Sequence, residues 1–186
     1  MKEIDIYTDC SSRDCENYGI SVFIIEDEVQ KALMYKTNLQ ELIKEFNVLF
    51  DGKNYKSKSI TIFECYAIFK ALQWLNFQTL NYNKIRIYTD NESVFLRLNN
   101  CKCKSRNILD KILTDHCLSI INSNVDVRLI KAHCGVYGNE IADYIAKSAL
   151  RKTENVLIKT EQRNGILSKK SLQKAIYAKM RKYKIK

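Results

Sequence analysis

Two short segments of the sequence nearly repeat each other, IDIYTD at 4–9 and IRIYTD at 85–90. In each, apolar and polar residues alternate with the period of a half-buried strand, and each run ends in Tyr-Thr-Asp. Each segment therefore delivers one carboxylate, Asp9 or Asp90, at the carboxyl end of a strand, the edge at which open α/β sheets bind ligands. Two further acids fall on predicted element ends, Glu64 in TIFECYAI and Asp143 in HCGVYGNEIAD. Any one such acid serves as readily as a turn former or helix cap. Taken together, the four are oxygen ligands suited to Mg²⁺ or Mn²⁺ rather than zinc, and a carboxylate cluster holding two such ions is a recurring device for displacement at phosphorus.

The rest of the chain supplies the sheet those strand ends need. Alternation and turn signals predict strands near 3–9, 18–26, 28–36, 84–89 and 125–131, and helices near 62–77, 91–99, 107–122 and 139–151. The first three strands follow closely on one another, as in an antiparallel meander. The later strands are separated by helices, as parallel crossovers require. The expected fold is α/β, a mixed five-stranded sheet flanked by helices.

Composition excludes several classes. No apolar stretch reaches the eighteen or so residues that cross a membrane, and the first residues, MKEIDIYTD, read as a charged strand rather than a signal peptide. The 7 cysteines are odd in number and lack paired C-x-x-C groups, which argues against a secreted disulfide framework. Cys101, Cys103 and Cys117 lack a fourth ligand at a usual zinc spacing. The expectation is an intracellular protein, cytoplasmic or nuclear, with reduced thiols and no membrane partner.

The net charge of +10 is unevenly placed: residues 151–186 hold 12 basic and 2 acidic residues, leaving 19 of each in 1–150. We therefore divide the chain into a domain over 1–150 and a basic C-terminal extension over 151–186. Leu172, Ile176, Met180 and Tyr183 form one stripe of a predicted amphipathic helix in that extension, with lysines around it and an Asn164-Gly165 turn signal before it. Such a helix can grip phosphates, dock on the core or lie on an anionic membrane, and docking while presenting lysines is the preferred reading.

These residues carry a family resemblance. Asp9 in its YTD-x-S setting, Glu64 in E-x-Y-A-I, Asp90 in a second YTD, and His133 with Asp143 in KAHCGVYGNEIADYIAKSA resemble the type 1 ribonuclease H family in order and spacing. The resemblance covers roughly residues 1–150, and the chain is similar to the compact retroelement and retroviral form of the family. It implies a ribonuclease H-like fold and a metal-dependent endonuclease that cuts the RNA strand of RNA/DNA hybrids, leaving 5′-phosphate and 3′-hydroxyl ends. Asp9, Glu64 and Asp90 are then expected to hold one Mg²⁺, and Asp9 with Asp143 a second, with Mn²⁺ as a substitute. His133 is expected to move protons or assist product release. Backbone groups at Cys10 and Ser11, together with Asn91, Lys131 and Glu140, are expected to contact the hybrid, where 2′-hydroxyls distinguish the RNA strand.

The chain departs from the family at Cys10, where Gly is common, and over residues 37–59, read as an inserted helix and loop. Lys102, Lys104 and Arg106 occupy the place of a basic protrusion found in other members. The expected setting is a monomer or part of a larger replication or reverse-transcription assembly. Two other readings stay open, a non-catalytic nucleic-acid-binding module and a DNA-acting metal nuclease on the same fold.

Overall fold

The structure is a computed structural model that describes residues 2–27, 29–48, 60–78, 82–100, 105, 107–151, 165, 166, 174 and 177. Its strands are β1 (Glu3–Ser12), β2 (Asn17–Glu26), β3 (Val29–Asn38), β4 (Lys84–Thr89) and β5 (Val125–Leu129). The helices are α1 (Leu39–Glu45), α2 (Ile60–Asn76), α3 (Glu92–Asn99), α4 (Ile108–Ile120) and α5 (Tyr137–Leu150). β1, β2 and β3 form the antiparallel meander, and β4 and β5 add in parallel to β1, as the spacing of the segments requires. A two-residue strand, β6 (Gly165–Ile166), pairs with the outer edge of β3, so the order is β5-β4-β1-β2-β3-β6. The five-stranded sheet is thus present with one short addition from the basic extension. The predicted tail helix lies outside the described residues except for Lys174 and Tyr177, both in helical backbone.

One boundary differs in a way that matters. The expected end of β1 at Asp9 is not its end, because pairing with β2 continues to Ser12 opposite Tyr18. The parallel pairing with β4 stops earlier, at Tyr7 opposite Tyr88. Asp9 therefore sits where β1 outruns its parallel neighbour, and Asp90 follows immediately on β4, two residues past the last paired position on each strand. The two Tyr-Thr-Asp segments lie side by side in register, with the Tyr7 and Tyr88 rings stacked at 4.6 Å.

Both faces of the sheet are covered, which is why β2 is apolar on both sides of its pleat. Tyr18, Ile20, Val22 and Ile24 pack with Ile4, Ile6, Phe63, Ile68 and Leu72 under α2 and its neighbours. The alternate residues lie under α5: Phe23 packs with Ile141, Ala142 and Ile145, and the Ser21 hydroxyl donates to the Ala142 carbonyl at 2.7 Å. Gly19 lets α5 come this close, since a Cβ there would overlap the Ala146 carbonyl oxygen. At the start of α5, a Cβ on Gly138 would fall inside the Tyr7 ring. These two glycines fix the height of α5, and hence of Asp143, above the sheet.

The helix of the inserted segment is fastened to α2. Asn38 caps α1 by accepting from Glu41 N–H at 2.9 Å. At its other end Glu45 accepts from the Tyr66 hydroxyl at 2.5 Å and from Lys70 Nζ at 2.6 Å. The Lys70 ammonium lies 4.7 Å from the Tyr66 ring centre and close to Tyr35 and Phe69, so its charge is balanced by a carboxylate and by aromatic faces. Residues 49–59 of the insertion lie outside the described set.

Candidate active site

Glu64 stands one turn into α2 because the helix begins at Ile60, and its side chain is only 4% exposed. There it meets the two strand-end aspartates: one carboxylate oxygen from each of Asp9, Glu64 and Asp90 lies within 4.8 Å of the others. Burial comes first among the causes that push the Asp9 carboxyl well above its ordinary range, followed by repulsion from Asp90 and Asp143. Burial and then repulsion from Asp9 and Asp90 raise Glu64 in the same way. Among the described residues, a few contacts offset part of this. The Cys10 N–H donates to Asp9 Oδ1 at 2.8 Å, and Asn139 Nδ2 donates to Asp90 Oδ2 at 3.3 Å. Glu64 Oε2 is buried with no hydrogen-bond partner among the described residues. A buried acceptor left unmatched beside two other carboxylates costs free energy in the protein alone. The donor set, all carboxylate oxygen and strongly repulsive, fits a divalent hard cation.

The second half of the site comes from the loop after β5 and from α5. The chain leaves β5 and turns through His133 (φ 53°) and Gly135 (φ 77°), both in the left-handed region. His133 is exposed, and one of its ring nitrogens lies within 4.8 Å of carboxylate oxygens of Glu140 and Asp143. Asp143 is buried, and its Oδ1 pairs with Lys147 Nζ at 2.5 Å, one helical turn further along α5. The charge of Asp143 reaches Asp9 strongly enough to raise its carboxyl, which links the two halves electrostatically.

The residues expected to contact substrate divide into two groups. Lys131 is exposed on the loop beside His133, and Ser11 is half-buried on the stretch of β1 that outruns β4. Cys10 is 6% exposed, and its thiol is pushed well up, first by burial and then by Glu64 and Asp9. Its N–H is committed to Asp9, so the backbone there shapes the acid cluster. Asn91 caps α3, its Oδ1 accepting from Val94 N–H at 3.1 Å, which is the ordinary structural use of such a residue. Glu140 is 1% exposed and turned toward His133 and Asp143. Lys102, Lys104 and Arg106 lie outside the described residues.

Two neighbours of the carboxylates had no role assigned from sequence. Lys147 stands four residues after Asp143, a helical pair spacing that the sequence displays. Asn139 reaches across 49 positions to Asp90, and no local pattern signals that contact. The 5 described cysteines, Cys10, Cys15, Cys65, Cys117 and Cys134, are free. No helix among the described residues is long and apolar enough to cross a membrane.

Comparison with known proteins bears on the family and the fold of the chain. The sequence profile of the RNase H family matches residues 1–151. Among solved structures, the chain is similar to RNase H1 from the halophilic archaeon Halobacterium salinarum, with a TM-score of 0.51 at 13% identity over 80% of this chain and 97% of that one. It is similar to the N-terminal RNase H domain of Rv2228c from Mycobacterium tuberculosis, solved as a maltose binding protein fusion, with a TM-score of 0.54 at 11% identity over 80% and 94%. LC11-RNase H1, isolated from compost by a metagenomic approach and solved in complex with an RNA/DNA hybrid, gives a TM-score of 0.51 at 16% identity over 80% and 99%. No curated protein matches the chain in sequence.

Proposed function

The chain belongs to the RNase H family, and from that premise we propose that it hydrolyses the RNA strand of RNA/DNA hybrids endonucleolytically, leaving 5′-phosphate and 3′-hydroxyl ends. The observation that carries the reading is the convergence of Asp9, Glu64 and Asp90 within 4.8 Å, with a buried Glu64 oxygen left unmatched. A fold with no use for a cation gains nothing from two buried acids gathered with a third that is half-buried.

In this reading Asp9, Glu64 and Asp90 hold one divalent ion, and Asp9 with Asp143 a second. When bound, two Mg²⁺ or Mn²⁺ ions would supply Lewis acidity toward the attacking water and the leaving oxygen. The chain's own residues orient these carboxylates. The Cys10 N–H turns Asp9, and the Asn139 amide turns Asp90. Gly138 and Gly19 set how far α5 carries Asp143 over the sheet. His133, exposed on a loop beside Asp143, carries protons to and from the product side. Lys131 and Ser11 contact the nucleic acid, and the basic extension adds phosphate contacts.

The test is a panel of matched substrates. The full chain with Mg²⁺ is expected to cut the RNA strand of a labelled hybrid, to spare DNA duplex, and to lose activity in EDTA. Cleavage that survives EDTA overturns the metal assignment. Cleavage of DNA duplex in place of the hybrid moves the chain to the DNA-acting reading, and tight hybrid binding without cleavage moves it to the binding-module reading.

A further inference from the structure

Lys147 pairs with Asp143, and the metal-ligand reading gives it no task. Helical side chains lean toward the N-terminus, so a lysine at i+4 lies over the carboxylate one turn before it. Here that carboxylate is Asp143, whose side chain is 9% exposed, while the Lys147 side chain is 49% exposed. The ammonium thus covers a buried acid from the solvent side on a stem free to swing away. It is also a cation placed beside a cluster of negative charges, and its influence extends to Asp9. A divalent ion approaching Asp143 meets this resident positive charge first.

We propose that Lys147 is the counter-ion of the metal-free site, competing for Asp143 and so making the Asp143 side bind a divalent ion more weakly than the Asp9, Glu64, Asp90 side. The inference rests on the two-ion reading above and adds an order of filling to it. The triad, which has no paired cation among the described residues, fills first. The Asp143 side fills when Lys147 gives way, and the released ammonium then stands at the mouth of the site, where a substrate phosphate provides a new partner.

Calorimetric titration of the substrate-free full chain with Mn²⁺ tests this, with melting in EDTA as the second readout. Wild type is expected to bind one ion tightly and one weakly. Lys147→Gln is expected to strengthen the weaker step by about two- to fivefold, the competition expected of an ion pair of this exposure, and to leave the tighter step nearly unchanged. The same variant should melt lower than wild type in EDTA, and Lys147→Arg, which keeps the cation, should restore both readouts. Were Lys147 only a helix-stabilising pair, Lys147→Gln would lower the melting temperature and leave both Mn²⁺ steps where they were. That result overturns the proposal while the metal reading stands. Wild-type protein that takes up no Mn²⁺ at all overturns the metal reading, and this inference with it.

Discussion

Replacing Asp9 with Asn should abolish cleavage and at the same time stabilise the metal-free protein. Asn keeps the shape of Asp and an oxygen for the Cys10 N–H, so what is removed is one negative charge from a close group of three, two of them buried. Two unit charges at 4.8 Å repel by about 3 kcal/mol at an effective dielectric of about 20. A cluster under that repulsion tends to hold a proton, so deleting one charge relieves nearer one pair than two. At about 2–4 °C per kcal/mol for a chain of this size, ~3 kcal/mol raises the melting temperature by about 6–12 °C. Burial and repulsion push the Asp9 and Glu64 carboxyls up in the folded chain. Between the unfolded and folded values the native state therefore binds more protons, and stability falls as pH rises through that window. Melting followed by circular dichroism in EDTA should show wild type gaining stability as the pH falls toward the ordinary carboxylate range, with a flatter trend in Asp9→Asn. Saturating Mg²⁺ should raise wild type toward or past the variant, because the ion stabilises only the state that binds it. A variant melting at or below wild type in EDTA near neutral pH would refute the picture of a strained, repulsive cluster.

His133→Ala is expected to slow turnover without abolishing it, because the four carboxylates are intact; single-turnover and steady-state rates on the hybrid separate the two, and complete loss at saturating metal would give His133 an essential chemical role. Gly138→Ala should lift the start of α5 off the Tyr7 ring, costing about 1–3 kcal/mol as overpacking and lowering the rate through Asp143, with unchanged melting and activity as the contrary result. Truncation after Leu150 removes 12 basic residues against 2 acidic ones and should weaken hybrid binding and flatten its salt dependence by about 0.7–0.9 for each phosphate no longer neutralised. The same truncation removes the β6 pairing with β3 and should lower the melting temperature, so an unchanged salt slope and melting temperature together would leave the extension without either role.

The sequence alone determined much of this protein, because its information is local and periodic. Alternation in IDIYTD and IRIYTD set two strands, and their shared ending set two carboxylates at one edge of the sheet. The spacing from Glu64 to the apolar residues after it set a helix, and close succession of the first three strands set the meander. Asn91, expected from the sequence to contact the hybrid, instead caps α3 by accepting from Val94 N–H, a short-range use that its place before the helix allows. What the sequence did not carry is how far one element stands from another. The end of β1 depends on β2, which keeps pairing after β4 has stopped. The partner of Asp90 depends on where α5 lands, which rests on Gly19 and Gly138 meeting Ala146 and Tyr7. The cost of gathering the acids depends on burial, and burial belongs to the packed whole. Residue types and their spacing thus singled out the acids, while the close approach of α5 to a sheet buried on both faces decided their distances, their charge balance, and the pairing of Asp143 with Lys147.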